Sequence, residues 1–143
     1  MEKILETFEY PELLLKEYKN WYLLLRSEQV TIGSLVLIEK SFSSKLSNVP
    51  EKSFIEFGDI VKEIENVLDK LFSYSKINYL MLMMRDKEVH YHIIPRYPAS
   101  VLFNEFEFLD SGWPKFPEMI SINNVDKITK QKLLCLIKNE LTN

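Results

Sequence analysis

Apolar residues recur at alternating intervals of three and four between Glu51 and Phe72, at Phe54, Phe57, Val61, Ile64, Leu68 and Leu71. That spacing marks one helical face and predicts a helix over the whole span. Pro50 precedes it in a favourable first-turn position, and Gly58 within it costs about 1 kcal/mol relative to alanine, which a close packing contact would explain. Elsewhere the period shortens. Trp21 to Leu25 and Leu35 to Ile38 are apolar runs separated by the polar break Arg26-Ser27-Glu28-Gln29 and by Gly33-Ser34, which predicts an antiparallel pair. Ser41 to Val49, rich in Ser and Asn, predicts a loop. Tyr79 to Met84 is apolar without alternation, as expected of a central strand covered on both faces, and Arg85-Asp86-Lys87 is a tight polar turn into the next strand. Phe103, Phe106 and Phe108 alternate with polar residues and predict a short edge strand or extended arm. Asn124 is a candidate N-cap for a final helix from Val125 to about Leu141, with Ile128, Leu134, Ile137 and Leu141 toward the core. Residues 1–20 read either as a short helix beginning at Pro11 or as an irregular lead-in. Strands in hairpins with helices at the middle and end define an α+β architecture with an antiparallel sheet.

At 143 residues, the chain 1–143 fits a single domain. No apolar run approaches the ~20 residues that cross a bilayer. The N-terminus mixes Glu2, Glu6 and Glu9 with Leu and Phe, unlike a secretory leader. One cysteine, Cys135, allows no internal disulfide, so a cytoplasmic location is the expectation. A net charge of −3 and a pI near 5.5 argue against holding long nucleic acid by its backbone. A small anionic ligand needs only local donors.

Candidate chemistry lies in Lys87-Glu88-Val89-His90-Tyr91-His92-Ile93-Ile94-Pro95-Arg96, which contains both histidines of the chain. As an extended strand it places Glu88, His90 and His92 on one face and Val89, Tyr91 and Ile93 on the other, where they bury against a helix. The polar face is left to line a cleft. Three readings fit this pattern. The histidines are half-exposed side chains with satisfied nitrogens, or they bind a divalent ion with Glu88, or they perform phosphoryl chemistry. The metal reading is geometrically strained, since the three side chains spread over roughly 13 Å at ~3.3 Å per residue. The third reading uses an imidazole that is largely neutral and nucleophilic near pH 7, its ordinary pKa being ~6.5.

The run Val89-His90-Tyr91-His92-Ile93-Ile94-Pro95-Arg96 resembles the signature of the histidine triad family, with His90 on the middle, nucleophilic histidine and His92 on the last. Glu88 falls where the first histidine would be. Lys76-Ile77-Asn78 is similar to the strand that precedes the triad in some bacterial members, and Trp113-Pro114 to their closing segment, so the likeness runs roughly from Trp21 to Pro117. Met83-Met84 stands where a Gly-Asn pair is often found, and Ser34 and Ser41 where branches of the family carry histidines.

The resemblance implies an antiparallel sheet with a central helix packed on it and a C-terminal helix, a homodimer, and no cofactor or metal. It also implies a nucleotide hydrolase or nucleotidyl transferase, of the dinucleoside polyphosphate hydrolase type, acting at an α-phosphate. His90 would attack phosphorus, and His92 would bind the phosphate or protonate the leaving group. Glu88 completes the catalytic set, while Asn78, Ser34 and Arg96 are candidates for substrate binding. A carboxylate beside His90 would favour the imidazolium and repel phosphate; beside His92 it would keep an acid protonated. The assignment needs a His90 nitrogen that is free, uncharged and aimed into an anion-accepting hollow. Two alternatives remain: a nucleotide-binding module without turnover, and a dimeric scaffold.

Overall fold

The computed structural model describes residues 1–141. A short helix α1 (Lys3–Thr7) leads into strands β1 (Leu14–Glu17), β2 (Trp21–Leu25) and β3 (Leu35–Glu39). Helix α2 (Glu51–Phe72) follows, then β4 (Lys76–Leu80), β5 (His90–Arg96), the pair β6 (Val101–Phe103) and β7 (Phe106–Phe108), and helix α3 (Lys127–Glu140). The main sheet has the order β1-β2-β3-β5-β4, antiparallel throughout, and β6 and β7 form a separate two-stranded ribbon.

The register shows how the two faces divide. Val36 lies opposite both Leu24 and His92, and His92 opposite Leu80; Ile38 lies opposite both Tyr22 and His90. Since facing partners share a side of the sheet, the histidines share theirs with Leu24, Val36 and Ile38. The other side carries Leu23, Leu25, Leu35, Leu37 and Ile93, which join α2 through Ile60, Ile64 and Leu68 and α3 through Leu133 and Ile137 in the main core. Each such buried aliphatic side chain contributes about 1.5–3 kcal/mol. Tyr91 packs on Phe57 of α2 with ring centroids 5.0 Å apart, so Val89, Tyr91 and Ile93 meet a helix as the alternation predicts. The indole Nε1 of Trp21 donates to the Ser53 carbonyl oxygen at 2.9 Å. The buried carboxylate of Glu39 accepts from the Ser53 hydroxyl at 2.7 Å, tying β3 to the first turn of α2.

Helix α2 spans the predicted residues, with Pro50 as its N-cap, but its buried face is rotated from the predicted one. Ile60, Ile64, Val67, Leu68 and Phe72 are inside, whereas Phe54 is 44% exposed. A Cβ added at Gly58 would meet nothing within 4 Å, so no close contact explains that glycine. Gly33 is different: at φ 86° with the Phe72 ring carbons 3.2 Å from where a Cβ would stand, the position requires glycine.

Four expectations are corrected. No helix begins at Pro11; instead Leu14–Glu17 adds an edge strand, because Leu14, Lys16 and Glu17 pair with β2 across a register shift after Leu14. The apolar run after Asn78 belongs to the other edge strand, β4, which ends at Leu80 and is followed by an irregular segment, 81–89, in place of a tight turn. Phe103 to Phe108 is a hairpin whose turn residues, Asn104 and Glu105, have φ of 51° and 62°, the positive values that two-residue hairpin turns require. The last helix is capped by Asp126, whose side chain accepts from the Thr129 N–H at 2.7 Å, and Ile128 is 69% exposed while Leu133 takes the core position. No helix among the described residues is long and apolar enough to cross a membrane.

Candidate functional site

Strand β5 delivers His90 and His92 to the sheet face opposite α2. The face is not open. Ile4, Leu5 and Phe8 form a second apolar cluster with Leu24, Val36 and Ile38, and Phe8 lies over both imidazoles, its ring centroid 5.8 Å from each. His90 is 2% exposed and His92 8%, so the predicted cleft-lining face is roofed by the N-terminal segment burying its own apolar residues. What remains is a hollow of about 280 Å³ lined by Arg26, Arg85, Asp86, His90, His92, Met119 and the 82–84 segment.

The two rings stand 5.0 Å apart and nearly perpendicular. Nδ1 of His90 lies 2.6 Å from the Glu88 carbonyl oxygen. A carbonyl only accepts, so Nδ1 carries the proton, and in the neutral ring the lone pair is on Nε2. Every enclosed side-chain nitrogen or oxygen among the described residues has a hydrogen-bond partner, and Nε2 of His90 has none, so this edge of the ring is the one that reaches the hollow.

His92 is fixed from the other side. Arg26 Nε donates to His92 Nδ1 at 3.3 Å, a buried contact, which leaves the proton of the neutral ring on Nε2. Burial, and then the charges of Arg26, His90 and Arg85, hold the His92 pKa down from 6.5 to about 3. Near neutral pH this ring offers an Nε2–H donor without carrying charge. Between those two values the unfolded chain binds a proton that the folded chain excludes, so the stability due to His92 is whole above pH ~6.5 and is lost as pH falls toward ~3. His92→Gln is expected to flatten the acid limb of the stability profile by at most ~1.4 kcal/mol per pH unit, one proton's worth. Urea midpoints measured between these limits check it, and an unchanged slope would refute a buried neutral imidazole.

The other candidates are placed differently. Glu88 precedes β5 and lines a neighbouring hollow with Lys3, Thr7 and Lys87, which shares Arg85 and Asp86 with the histidine hollow; only its main-chain carbonyl meets His90. The predicted common face for Glu88, His90 and His92 therefore fails, because the strand starts at His90. Ser34 is fully buried, its hydroxyl donating to the Thr31 carbonyl at 2.8 Å and accepting from the Thr31 N–H at 3.1 Å, so it holds a turn. Arg96 donates to Asn78 Oδ1 at 2.8 Å and forks onto Asp110 at 2.7 and 3.1 Å. This network borders a wider hollow of about 980 Å³ beside β4, lined also by Tyr79, Trp113 and Phe116. Among the described residues no group of three or more His, Cys, Asp or Glu side chains is placed to hold a metal ion.

Sequence reasoning missed Arg26 and Phe8. The available signal for Arg26 was a lone cation closing an otherwise apolar strand. Phe8 gave none, because its contact with the histidines depends on a helix of five residues docking across the sheet.

No family model matches the chain, and no curated protein matches it. Solved structures do. A histidine triad protein from Bradyrhizobium japonicum superposes with a TM-score of 0.76 at 12% identity, covering 99% of this chain and 97% of its own. One from Sinorhizobium meliloti gives 0.76 at 14%, over 99% and 96%. The diadenosine triphosphate hydrolase of Plasmodium falciparum gives 0.63 at 14%, over 96% and 92%. The chain thus has the histidine triad fold, with the antiparallel sheet, central helix and C-terminal helix that the resemblance implies, the main sheet having five strands.

Proposed function

We propose that the chain is a histidine triad protein acting as a nucleotide hydrolase or nucleotidyl transferase through a nucleotidyl-histidine intermediate at His90. The observation that carries this reading is the Nδ1–H to Glu88 carbonyl bond, which leaves the Nε2 lone pair toward the hollow. In the first step Nε2 attacks the α-phosphorus, an N–P bond forms, and the P–O bond to the leaving group breaks with its electron pair departing on oxygen. In the second, a water oxygen attacks the same phosphorus, the N–P bond breaks and returns its pair to Nε2, and the water's proton passes to solvent. His92, held neutral, fits the phosphate-binding half of its expected role: its Nε2–H donates to a non-bridging oxygen. The likeness to a diadenosine triphosphate hydrolase favours a dinucleoside polyphosphate substrate; nucleoside phosphoramidates and nucleotide sugars are the other members of the panel to test. Mass spectrometry of the protein incubated with that panel should show a nucleotidyl adduct on His90, and its absence with every member would remove the reading.

The main-chain origin of the His90 contact also gives Glu88 a defined expectation. Glu88→Gln keeps the carbonyl and removes a negative charge, so nucleotide affinity by calorimetry should be preserved or improved. A large loss of both binding and turnover would show that the carboxylate acts positively.

A second reading, a nucleotide-binding module without turnover, is favoured by the small roofed hollow, which falls below the ~300–1,000 Å³ usual for ligand sites. Tight binding with no adduct would select it. The homodimer is part of the same proposal: β4 is a sheet edge flanked by exposed Met84 and Phe116, a surface of the kind that partner chains cover. Sedimentation at working concentration decides it.

A further inference from the structure

The polar atoms facing the histidine hollow are unequal in one respect: one of them belongs to a buried cation that forms no ion pair among the described residues, the Glu28 carboxylate acting on it only from beyond ion-pair distance and more weakly than burial does. Arg26 is 9% exposed, yet none of the ion pairs among the described residues includes it. Its guanidinium is held by contacts that carry no full negative charge. Nε donates to His92 Nδ1, Nη1 donates to the Glu28 carbonyl oxygen at 2.9 Å, and Nη2 has no protein partner and is not enclosed. The backbone of the residue is equally fixed. Its N–H donates to the Ser34 carbonyl at 2.9 Å, and its carbonyl accepts from the Gln29 side-chain amide at 2.6 Å. Gln29 itself is fully buried with both ends satisfied.

An arginine has no low-cost way to become neutral, and leaving its charge largely desolvated is unfavourable unless an anion compensates. The remaining charged groups of the hollow do not compensate it. Arg85 and Asp86 are adjacent residues whose charged atoms lie 3.9 Å apart and offset each other, and Arg85 is largely exposed. The side chains lining the hollow therefore sum to a net positive charge, set beside the His92 Nε2–H donor and His90 Nε2.

We propose that Arg26 is the anion-holding residue of this site, receiving an oxyanion of the phosphate class on Nη2 while its Nε–H locks His92 in the tautomer that donates to the same anion. Arg26 is on this account both a ligand-binding residue and a positioning residue for His92. The inference rests on the proposed placement of phosphorus at His90, but it concerns binding, which requires no turnover.

The test uses the intact chain, with inorganic phosphate and AMP as probes, and two variants. In the wild type both probes should bind, and long-range 15N–1H spectra should show His92 as a single Nε2–H tautomer. Arg26→Gln should weaken both probes by about tenfold or more, the size of a lost charge-assisted hydrogen bond, and should turn His92 into a mixture of tautomers. Added methylguanidinium should restore part of the affinity. Arg26→Lys, which keeps the charge and loses the Nε–H, should retain part of the phosphate affinity while freeing the His92 tautomer; it supplies the same decision if the Gln variant does not fold. Phosphate affinity within twofold of wild type in the variants, a single unchanged His92 tautomer, or a wild type that binds neither probe overturns the inference. An Arg26-dependent phosphate site in a protein that forms no adduct on any nucleotide would sink the catalytic reading and leave this one standing.

Discussion

Replacing His90 by asparagine is expected to abolish the nucleotidyl adduct and lower turnover by on the order of 10⁴-fold or more, the usual scale for removing a covalent nucleophile. Asparagine is the informative choice because of what His90 does structurally. Its ring is buried beneath Phe8, and Nδ1 satisfies the Glu88 carbonyl. The amide nitrogen of asparagine occupies a position close to Nδ1 and can make the same donation, whereas nothing in that side chain reaches the place of Nε2. The variant should consequently fold with near-normal stability while lacking the attacking atom. His90→Ala removes the donor as well, leaves a void under Phe8, and should lose activity together with stability. Comparing the two by denaturation and by mass spectrometry separates chemistry from packing. Turnover in His90→Asn within tenfold of wild type would show that the reaction does not pass through a bond to this residue.

The elements legible in the sequence were those whose pattern encodes an orientation directly. Helix α2 could be bounded because a three-and-four repeat of apolar residues continues along its whole length, and the body of β5 was legible because His90, Tyr91, His92 and Ile93 alternate between two faces, although its start at His90 was not. Patterns with only one kind of residue were read less well. Tyr79 to Met84 is apolar on every position, which says that something covers it but not whether that cover is a neighbouring strand; the chain in fact leaves the sheet at Leu80 and exposes Met84. Leu13-Leu14-Leu15 gave no period at all, so β1 appeared only once its pairing with β2 was seen. The site divides the same way. The histidines announce themselves by type and spacing, but Arg26, Phe8 and Met119 reach them from distant sequence positions, through a register and a docked helix that no local pattern contains. Glu88 shows the converse: its position in the motif suggested a side-chain role, while the contact that matters there is made by the peptide group.

Asp110→Ala is expected to destabilise the fold by ~3–5 kcal/mol, the range for leaving a buried charge without its partner. The side chains of Arg96 and Asp110 are 4% and 1% exposed, and the pair is a two-point fork. Asp110 also accepts from the Tyr97 N–H at 3.1 Å, so its removal strips an acceptor from a second buried donor. Asn78 alone would then face the guanidinium, and an amide oxygen offsets only part of a full charge. The network joins the end of β5 to β4 on one side and to the 109–123 segment on the other, which gives it a tethering role at positions where the sequence suggested ligand binding. The two roles predict different double variants. If the contribution is a structural ion pair, replacing both partners by leucine should recover most of the stability lost by Asp110→Ala, because apolar residues of similar volume substitute for a buried pair at little cost. If Arg96 instead serves a bound nucleotide, the double variant should regain stability but lose nucleotide affinity, whereas a purely tethering Arg96 leaves affinity within a few fold of wild type. Urea denaturation and calorimetry on the same two variants therefore decide both the energy of the pair and the reason the chain keeps an arginine at the end of its triad strand.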